Sequence, residues 1–329
     1  MGPTVSEVHV NRPMTNMMVQ YNQDMTGFCQ DVFPTVPVNR RSDLYYVIPK
    51  GQFNKADSAP RADATETVGL NWHPSTDQYM CKVIGSHVDI GDQARANFDS
   101  PLQCDQSATR RVTSSIKLTK ELEWMNTYLA PGVWSGANTS GSTVNTDYDV
   151  TVNGHGAWNS TSSDPMKDVR ALMTYVEGNT GLEPKIGVVT KDVYDVLCNN
   201  ATILDRIKYT QRGILTQDLI ASMLGLEKLV VAKAVLNTAQ TGMQDNMGFM
   251  SSNKFLLCYA PAQASLTDAS CGYTFVWNGY LNGQSTNGMV MTNIRVPLRR
   301  ADRIEGESSY VFKQIAPDLG ALMTNIIAA

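Results

Sequence analysis

The feature that most constrains the fold of this sequence is a long segment, residues 41–92, without a hydrophobic core of its own. Residues 44–48 are rich in β-branched and aromatic side chains, and residues 68–72 and 79–90 also favour strands. The stretch between the first two is polar. This pattern predicts a two-stranded finger with an exposed tip. Because an isolated pair of strands is only marginally stable, we expect the finger to lie on another surface.

Two other segments are poor in apolar periodicity. Residues 1–40 are polar and contain Pro13, Pro34 and Pro37, which predicts an extended arm that a neighbour must order, with one short structured piece within residues 24–37. Residues 131–163 are rich in Ser, Thr, Gly and Asn, which predicts a neutral surface loop with a hairpin turn at Asn153-Gly154.

A long helix is predicted over residues 105–130, where apolar residues recur at helical spacing. Leu118, Leu122, Met125 and Leu129 would lie on one buried face. On the helix surface, Lys117 and Glu121 have the i,i+4 spacing of an ion pair.

Residues 164–236 alternate between helical and strand patterns and predict an α/β unit. Asp164 is expected to cap a helix that begins at Pro165 and ends at Gly181. Strands are expected at residues 185–189 and 229–236. Residues 254–316 are strand-rich, and the apolar spacing of residues 319–327 fits either a helix or a buried strand.

Composition excludes several classes of protein. The 329 residues include 27 Lys and Arg against 31 Asp and Glu, so the formal net charge is 27 − 31 = −4, whereas general nucleic-acid binders are typically basic. No apolar run is long enough to span a membrane, and we expect no secretory signal. The six cysteines lack metal-ligand spacing and are expected to be reduced thiols in a cytoplasmic setting.

The common chemical signatures are missing from this sequence. It has four histidines and no metalloprotease, nucleophile-elbow, phosphate-loop or dinucleotide motif. We therefore expect no catalytic, cofactor or metal site, although a triad assembled from distant residues stays open.

Clustered cations are the remaining candidates for contacts. Arg295, Arg299, Arg300 and Arg303 could meet nucleic acid, but the nearby Asp302, Glu305 and Glu307 favour salt bridges between elements or between subunits. Arg110 and Arg111 on the long helix have the same two interpretations. Lys50 and Lys55 near the finger tip are expected to be solvated, and a covalent crosslink to another subunit is the minor alternative.

The order of these elements resembles that of the tailed-phage major capsid proteins of the Hong Kong 97 type. Individual stretches carry the resemblance over roughly residues 40–329: FNKADSAPRA from Phe53 resembles the tip of that family's extended loop, and residues 78–102 its return strand. ATRRVTSSIKLTKELEW from Ala108 resembles the spine helix, residues 158–212 the opening of the axial domain, and residues 304–323 the closing strands.

The resemblance implies an α+β Hong Kong 97-like fold with four parts. These are an N-terminal arm (1–40), an extended β-hairpin loop or E-loop (41–95), a peripheral domain with the spine helix and a polar insertion (96–163 and 290–315), and an α/β axial domain (164–289 and 316–329). It also suggests candidate contacts between subunits: Lys50, Phe53, Lys55, Arg61, Arg110, Arg111, Arg299, Arg300 and Arg303.

The function implied by the resemblance is structural. Copies of the chain would assemble as hexamers and pentamers into an icosahedral virion shell around phage double-stranded DNA, without sequence-specific binding. Assembly would take place in the host cytoplasm, with a separate scaffolding protein, a portal and a possible cement or decoration protein. Two alternatives stay open: the shell of an encapsulin-type cellular nanocompartment, and a soluble α/β hydrolase with a scattered active site.

Overall fold

A computed structural model describes most of the chain. The described residues are 28–47, 50–71, 73–97, 104–136, 147–153, 156–161, 163–207, 215–240, 242–261, 264, 268–279 and 288–328. Within these ranges, no helix is long and apolar enough to cross a membrane.

The described elements are nine helices and fourteen strands, with two short 3-10 turns at Pro297–Arg299 and Pro317–Leu319. The helices are α1 (Phe28–Val32), α2 (Lys50–Phe53), α3 (Asp92–Asn97), α4 (Cys104–Tyr128), α5 (Val150–Asn153), α6 (Pro165–Thr180), α7 (Lys191–Asn199), α8 (Ala201–Ile207) and α9 (Gln217–Leu224). The strands are β1 (Thr35–Val38), β2 (Ser42–Val47), β3 (Ser75–Met80), β4 (Lys82–Gly91), β5 (Tyr148–Asp149), β6 (Ile186–Thr190), β7 (Lys228–Ala232), β8 (Val235–Asn237), β9 (Met247–Phe249), β10 (Phe255–Cys258), β11 (Gly272–Trp277), β12 (Met289–Val296), β13 (Ala301–Gln314) and β14 (Gly320–Thr324).

Two five-stranded sheets organise these elements. The first has the order β1-β11-β13-β12, and β4 pairs with the long central strand β13 as well. The second has the order β5-β14-β10-β6-β7, and the ribbons β2–β3 and β8–β9 stand outside both sheets. The first sheet is largely antiparallel and the second is mixed, with two parallel and two antiparallel pairs. Together with the helices, these sheets confirm the predicted α+β class.

The long helix α4 is confirmed, but its predicted buried face is wrong in part. Its amino-terminal half buries Ala108, Val112 and Ile116, and its carboxyl-terminal half buries Trp124 and Tyr128 among other residues. The buried side rotates along the helix because the first half packs on β13 and the second half enters an aromatic cluster. Leu118 and Leu122 are consequently only half-buried.

A glycine permits the close approach of α4 to β13. A Cβ atom at Gly306 would lie 2.6 Å from a methyl carbon of Val112 and 3.0 Å from one of Ile116. This strand lies within the stretch predicted to be strand-rich, and its polar sequence reaches the core through buried Ser308 and Ser309 as well as through Tyr310.

The α/β unit matches its prediction closely. Asp164 caps α6, Pro165 is its first residue, and Gly181 ends it in the left-handed conformation with φ of 76°. The predicted strand at 229–236 is divided into β7 and β8, and the tail is the buried strand β14 rather than a helix.

Three expectations about irregular segments need correction. Residues 28–38 form α1 and β1 and pack within the subunit: Val32 and Phe33 are fully buried. The short structured piece expected there is confirmed, but it does not need a neighbour to order it. The rest of the predicted arm, residues 1–27, lies outside the described residues.

The finger is shorter than its sequence suggests. Cys81, which is fully buried, separates β3 from β4, and only β3 pairs with β2. Because β4 pairs with β13 from Lys82 to Gly91, it belongs to the first sheet. The predicted strand at residues 68–72 is irregular over 68–71, and Trp72 lies outside the described residues.

The segment 131–163 is not purely a surface loop. Trp134 and Trp158 are buried, and their indole N–H groups donate to the Tyr128 carbonyl oxygen at 2.7 Å and to Asp168 Oδ2 at 2.9 Å. Strand β5 pairs in parallel with β14, and α5 occupies the start of the predicted hairpin turn. Residues 137–146 and 154–155 lie outside the described part of the chain.

Candidate assembly surfaces

The β2–β3 ribbon has two unlike faces. Alternation along each strand turns Tyr45 and Tyr79 inward onto Phe275, with ring centroids 5.6 Å and 4.6 Å apart. The other face carries Leu44, Tyr46 and Met80, which are 63 %, 75 % and 59 % exposed. The ribbon is thus anchored on the first sheet by one face and leaves an apolar face in water.

The ribbon is also held at its base by polar contacts. The Tyr45 hydroxyl donates to Asp77 Oδ2 at 2.7 Å, and Lys313 Nζ lies 2.9 Å from the same carboxylate oxygen. Burial and this hydrogen bond raise the pKa of Tyr45 above its usual range. The tyrosine therefore stays protonated and keeps the donor that fixes the ribbon on the sheet.

The finger tip, residues 50–71, is exposed after the short helix α2. Lys50 Nζ forms an ion pair with Asp318 Oδ2 at 2.6 Å, so this candidate contact is used within the subunit. Lys55 and Arg61 are exposed and take part in none of the ion pairs found among the described residues. The Phe53 side chain lies outside the described part of the chain.

The turn between β12 and β13 presents a cationic tip. Arg300 has a left-handed φ of 46° and its side chain is exposed, while the neighbouring Leu298 is 99 % exposed. The Arg300 carbonyl oxygen accepts a hydrogen bond from the backbone N–H of Asp92 at 3.0 Å. The turn is therefore tied to the start of α3 while its side chains point into solvent.

Below this tip, the other arginines of the cluster form salt bridges between elements, as one of the two interpretations predicted. Arg303 makes a two-fold hydrogen-bonded pair with Asp89 at 2.7 and 3.0 Å, and Arg299 reaches the same carboxylate at 2.8 Å. Hydrogen bonds from Arg303 and then from Arg299 hold the pKa of Asp89 well below its usual range. The sequence pattern pointed to acids after residue 300, whereas Asp89 comes from β4.

A second set of ion pairs continues this network toward α4. Arg295 contacts both oxygens of Asp92 at 2.6 Å and Asp302 at 2.9 Å. Arg95 then links Asp302 at 2.8 Å to Asp105 at 2.7 Å. The network joins β4, α3, α4, β12 and β13 and makes the base of the turn rigid.

The two arginines on the long helix are exposed. Arg110 and Arg111 project from the half of α4 that packs on β13, on the side away from the sheet. The predicted pair of Lys117 with Glu121 is wrong, because Glu121 is 2 % exposed and lies on the packed side of the helix. Lys117 is exposed and stands free of the ion pairs present in the described chain.

The described part of the chain contains no group of three His, Cys, Asp or Glu side chains that could hold a metal ion. All six cysteines are free thiols, and burial raises the pKa of the Cys29 thiol to about 12 and that of Cys81 to about 11. A thiol with so high a pKa is a poor nucleophile, so these two side chains pack rather than react.

The sequence of the chain is similar to that of a known phage protein. It is 21 % identical over 258 residues to the major capsid protein of Burkholderia phage BcepMu, and the aligned region covers 77 % of each chain. No protein-family model matches the chain.

Solved structures are similar over almost the full length. A phage-related protein from Bordetella bronchiseptica has a TM-score of 0.65 at 16 % identity, covering 93 % of this chain and 94 % of that one. The capsid protein of cyanophage P-SCSP1u has a TM-score of 0.58 at 12 % identity, over 98 % and 95 %. An encapsulin from Synechococcus elongatus has a TM-score of 0.53 at 11 % identity, over 99 % and 96 %.

These similarities cover nearly the whole chain and so include the long helix and both sheets. They confirm the resemblance to the major capsid proteins of tailed phages: the chain has the Hong Kong 97-type capsid fold.

Proposed function

We propose that this chain is the major capsid protein of a tailed double-stranded DNA phage, and that its copies form the hexamers and pentamers of an icosahedral shell. The observation that carries the proposal is that the sequence relative, over 77 % of this chain, is a phage major capsid protein, and that phage capsid structures are similar over nearly the whole chain. The role is structural and requires no catalytic residue. Its place is the virion, after assembly in the host cytoplasm.

The exposed surfaces of the finger support this proposal physically. A lone subunit leaves Leu44, Tyr46 and Met80 of the ribbon in water, together with Val68 and Leu70 of the tip. Contiguous exposed apolar surface is typical of protein–protein contact sites. In a shell, a neighbouring copy would cover these side chains, and each such contact would recur around the whole particle.

The exposed cations are the polar complement of this apolar contact. We propose that Lys55 and Arg61 at the tip, and Arg300 at the β12–β13 turn, meet carboxylates of neighbouring copies. Phe53 stays a candidate, while Lys50, Arg299 and Arg303 would reach a neighbour only in addition to their pairs within the subunit. A separate scaffolding protein, a portal and a decoration protein complete the proposed set of partners.

The second candidate is the shell of an encapsulin-type nanocompartment. The fold similarity to an encapsulin supports it, because a phage capsid and an encapsulin are both closed protein shells. The two functions differ in cargo. A phage shell would enclose double-stranded DNA, and a compartment shell would enclose protein. The phage assignment ranks first because the curated relative is a phage protein.

The test is deletion of residues 51–65 from the finger tip. The tip is exposed beyond Lys50, whose ion pair with Asp318 is retained, so the deleted subunit should fold with an unchanged circular dichroism spectrum. It should form no stable shells by light scattering and negative-stain microscopy. As a matched control, a Gly/Ser segment of the same length replaces residues 51–65. This control distinguishes the effect of losing the side chains from the effect of shortening the loop.

Wild-type protein is examined alone and together with the products of the genes that flank it. Closed particles of megadalton mass support the shell, and ultraviolet absorbance of their contents distinguishes DNA from protein cargo. Normal shells from the deleted subunit would contradict the role given to the tip. A wild-type subunit that stays monomeric with every flanking product would contradict the proposed function.

A further inference from the structure

The amino-terminal half of α4 has a basic face, defined by Arg110, Arg111 and Lys117. All three side chains are exposed, and none belongs to an ion pair with another described residue. No Asp or Glu occurs between residues 106 and 120. Asp105, at the start of the helix, is already paired with Arg95 at 2.7 Å. In a chain with a net charge of −4, this face is a local concentration of uncompensated positive charge.

The side chains around these cations are polar. Gln106, Ser115 and Thr119 are exposed beside them, and Ser114 is half-buried between Arg110 and Lys117. None of the large apolar side chains exposed in the described chain lies on α4. Protein interfaces are enriched in aromatic residues, Met and Arg and depleted in Lys and Ser. This face has arginines but no aromatic residue or Met, and Arg, Lys, Ser and Thr are side chains that bind nucleic-acid phosphates.

The contrast with the ribbon separates two kinds of surface. The outer ribbon face carries Leu44, Tyr46 and Met80, which suit another protein. The α4 face offers charge and hydroxyl groups without an apolar centre, which suits a hydrated polyanion.

The helix geometry also fits a phosphate backbone. Arg110 and Lys117 are seven residues apart, so they lie on the same side of the helix and about 10 Å apart along its axis. Phosphates on one strand of a duplex advance by about 3.4 Å along the axis, so this separation spans about three of them. The opposite side of the same half-helix packs on β13, which holds the face rigid.

We propose that this face of α4 contacts the phosphate backbone of the double-stranded DNA that the shell encloses. The inference rests on the proposed function and deepens it, because it assigns a surface to the enclosed genome. The contact reads charge and not sequence, since its three cations are exposed and phosphate contacts carry no direct sequence information. The rest of the chain has a net negative charge, which confines the contact to this face of α4.

The test compares full-length wild-type protein with a triple variant, Arg110→Gln, Arg111→Gln and Lys117→Gln. Glutamine is polar and a good helix former, so the helix should be retained. Binding to a 20-base-pair fluorescent duplex is measured by anisotropy between 50 and 200 mM salt. Three phosphate contacts give a slope of about 0.9 × 3 in a log–log plot, which is a loss of about 40-fold in affinity over this range. The variant should lack this part of the salt dependence.

A matched control removes the same charge elsewhere. Arg170→Gln, Arg206→Gln and Lys233→Gln replaces three exposed cations outside α4, none of which is ion-paired within the described residues. This control should bind the duplex with the wild-type slope. Shell formation by all three proteins is measured separately by light scattering, and the α4 variant should assemble like wild type.

The outcomes separate this inference from the proposed function. Equal salt slopes for wild type and the α4 variant, or an equal loss in the control, would overturn the inference. An α4 variant that binds DNA normally but fails to assemble would show that the face meets another copy of the chain, which would also overturn it. Absence of shells from wild type under every condition tested above contradicts the proposed function, whatever the duplex-binding result.

Discussion

Replacement of Phe33 by alanine should destabilise the isolated subunit severely. The ring is fully buried and makes edge-on contacts with Tyr128, Trp124 and Trp134, at centroid distances of 4.7, 5.5 and 6.4 Å. It also fills the space above Gly272, where a Cβ atom would lie 2.5 Å from the ring. Trp124 and Tyr128 are fixed on α4, Trp134 follows that helix and Gly272 begins β11, so these neighbours cannot collapse freely into the space that the ring leaves.

The expected cost follows from this packing. A buried Phe→Ala change costs about 3–5 kcal/mol, and the aromatic pairs, each worth about 0.5–1.5 kcal/mol, place Phe33→Ala near the upper end. With a urea m-value of about 3 kcal/mol/M, the midpoint of unfolding should fall by about 1–2 M. Phe33→Leu, which keeps most of the apolar volume, should cost about 1–2 kcal/mol.

The assay is urea unfolding of the unassembled subunit, followed by tryptophan fluorescence. Trp124 and Trp134 both contact the Phe33 ring, so the signal reports on this cluster. An unchanged midpoint for Phe33→Ala would refute the reasoning, because it would mean that residues 28–38 are ordered only by a neighbouring subunit.

Three further predictions concern the charged groups and the long helix. Asp89, whose pKa is lowered by its arginines, holds fewer protons in the folded than in the unfolded state, so its stabilisation is present above about pH 4–5 and is lost as the pH falls. The melting temperature of Asp89→Asn should therefore fall less than that of wild type between pH 6 and pH 3.5. As a control, Asp57→Asn on the exposed tip should behave like wild type. Burial lowers the pKa of Lys120, so at this group the unfolded chain binds more protons and the cost of burying the cation is relieved as the pH rises toward the usual lysine value of about 10.4. The melting temperature of wild type relative to that of Lys120→Met should therefore increase as the pH rises, and a pH-independent difference between the two would contradict this. Trp124→Ala should cost about 3–5 kcal/mol of unfolding free energy and Leu122→Ala about 1–2 kcal/mol, because the first side chain is fully buried and the second only half-buried. Equal urea midpoints for the two variants would instead support the buried helix face predicted from sequence spacing.

The structure also clarifies why the buried lysine is tolerated. Lys120 is 7 % exposed, and its ammonium lies 4.8 Å from the centroid of the Tyr310 ring and 5.7 Å from that of Phe312. Two aromatic faces offer partial compensation for the lost hydration of the cation. The sequence spacing does not place Lys120 on the predicted buried face, and its burial follows from the position of β13, which carries Tyr310 and Phe312.

The candidate site was only partly accessible to prediction. The salt-bridge interpretation of the arginine cluster was correct, but its partner Asp89 is more than two hundred residues from Arg303 in the chain. The apolar face of the ribbon could have been recognised from the alternation of Leu44 and Tyr46, yet its exposure depends on which face Phe275 covers. Lys50 was predicted to be a solvated cation, whereas the fold brings Asp318 close enough to form an ion pair with it.

By itself, the sequence determined the elements that local interactions specify. The helix α4 follows from a long helical pattern, and α6 from Asp164, Pro165 and Gly181, whose capping chemistry acts within one turn. Only the tertiary structure decided that Cys81 ends the finger, that residues 28–38 belong to the core, and that a polar strand, β13, is the centre of the first sheet. These features depend on pairing between residues far apart in the chain, and such pairing leaves no periodic signal in the segments that it joins.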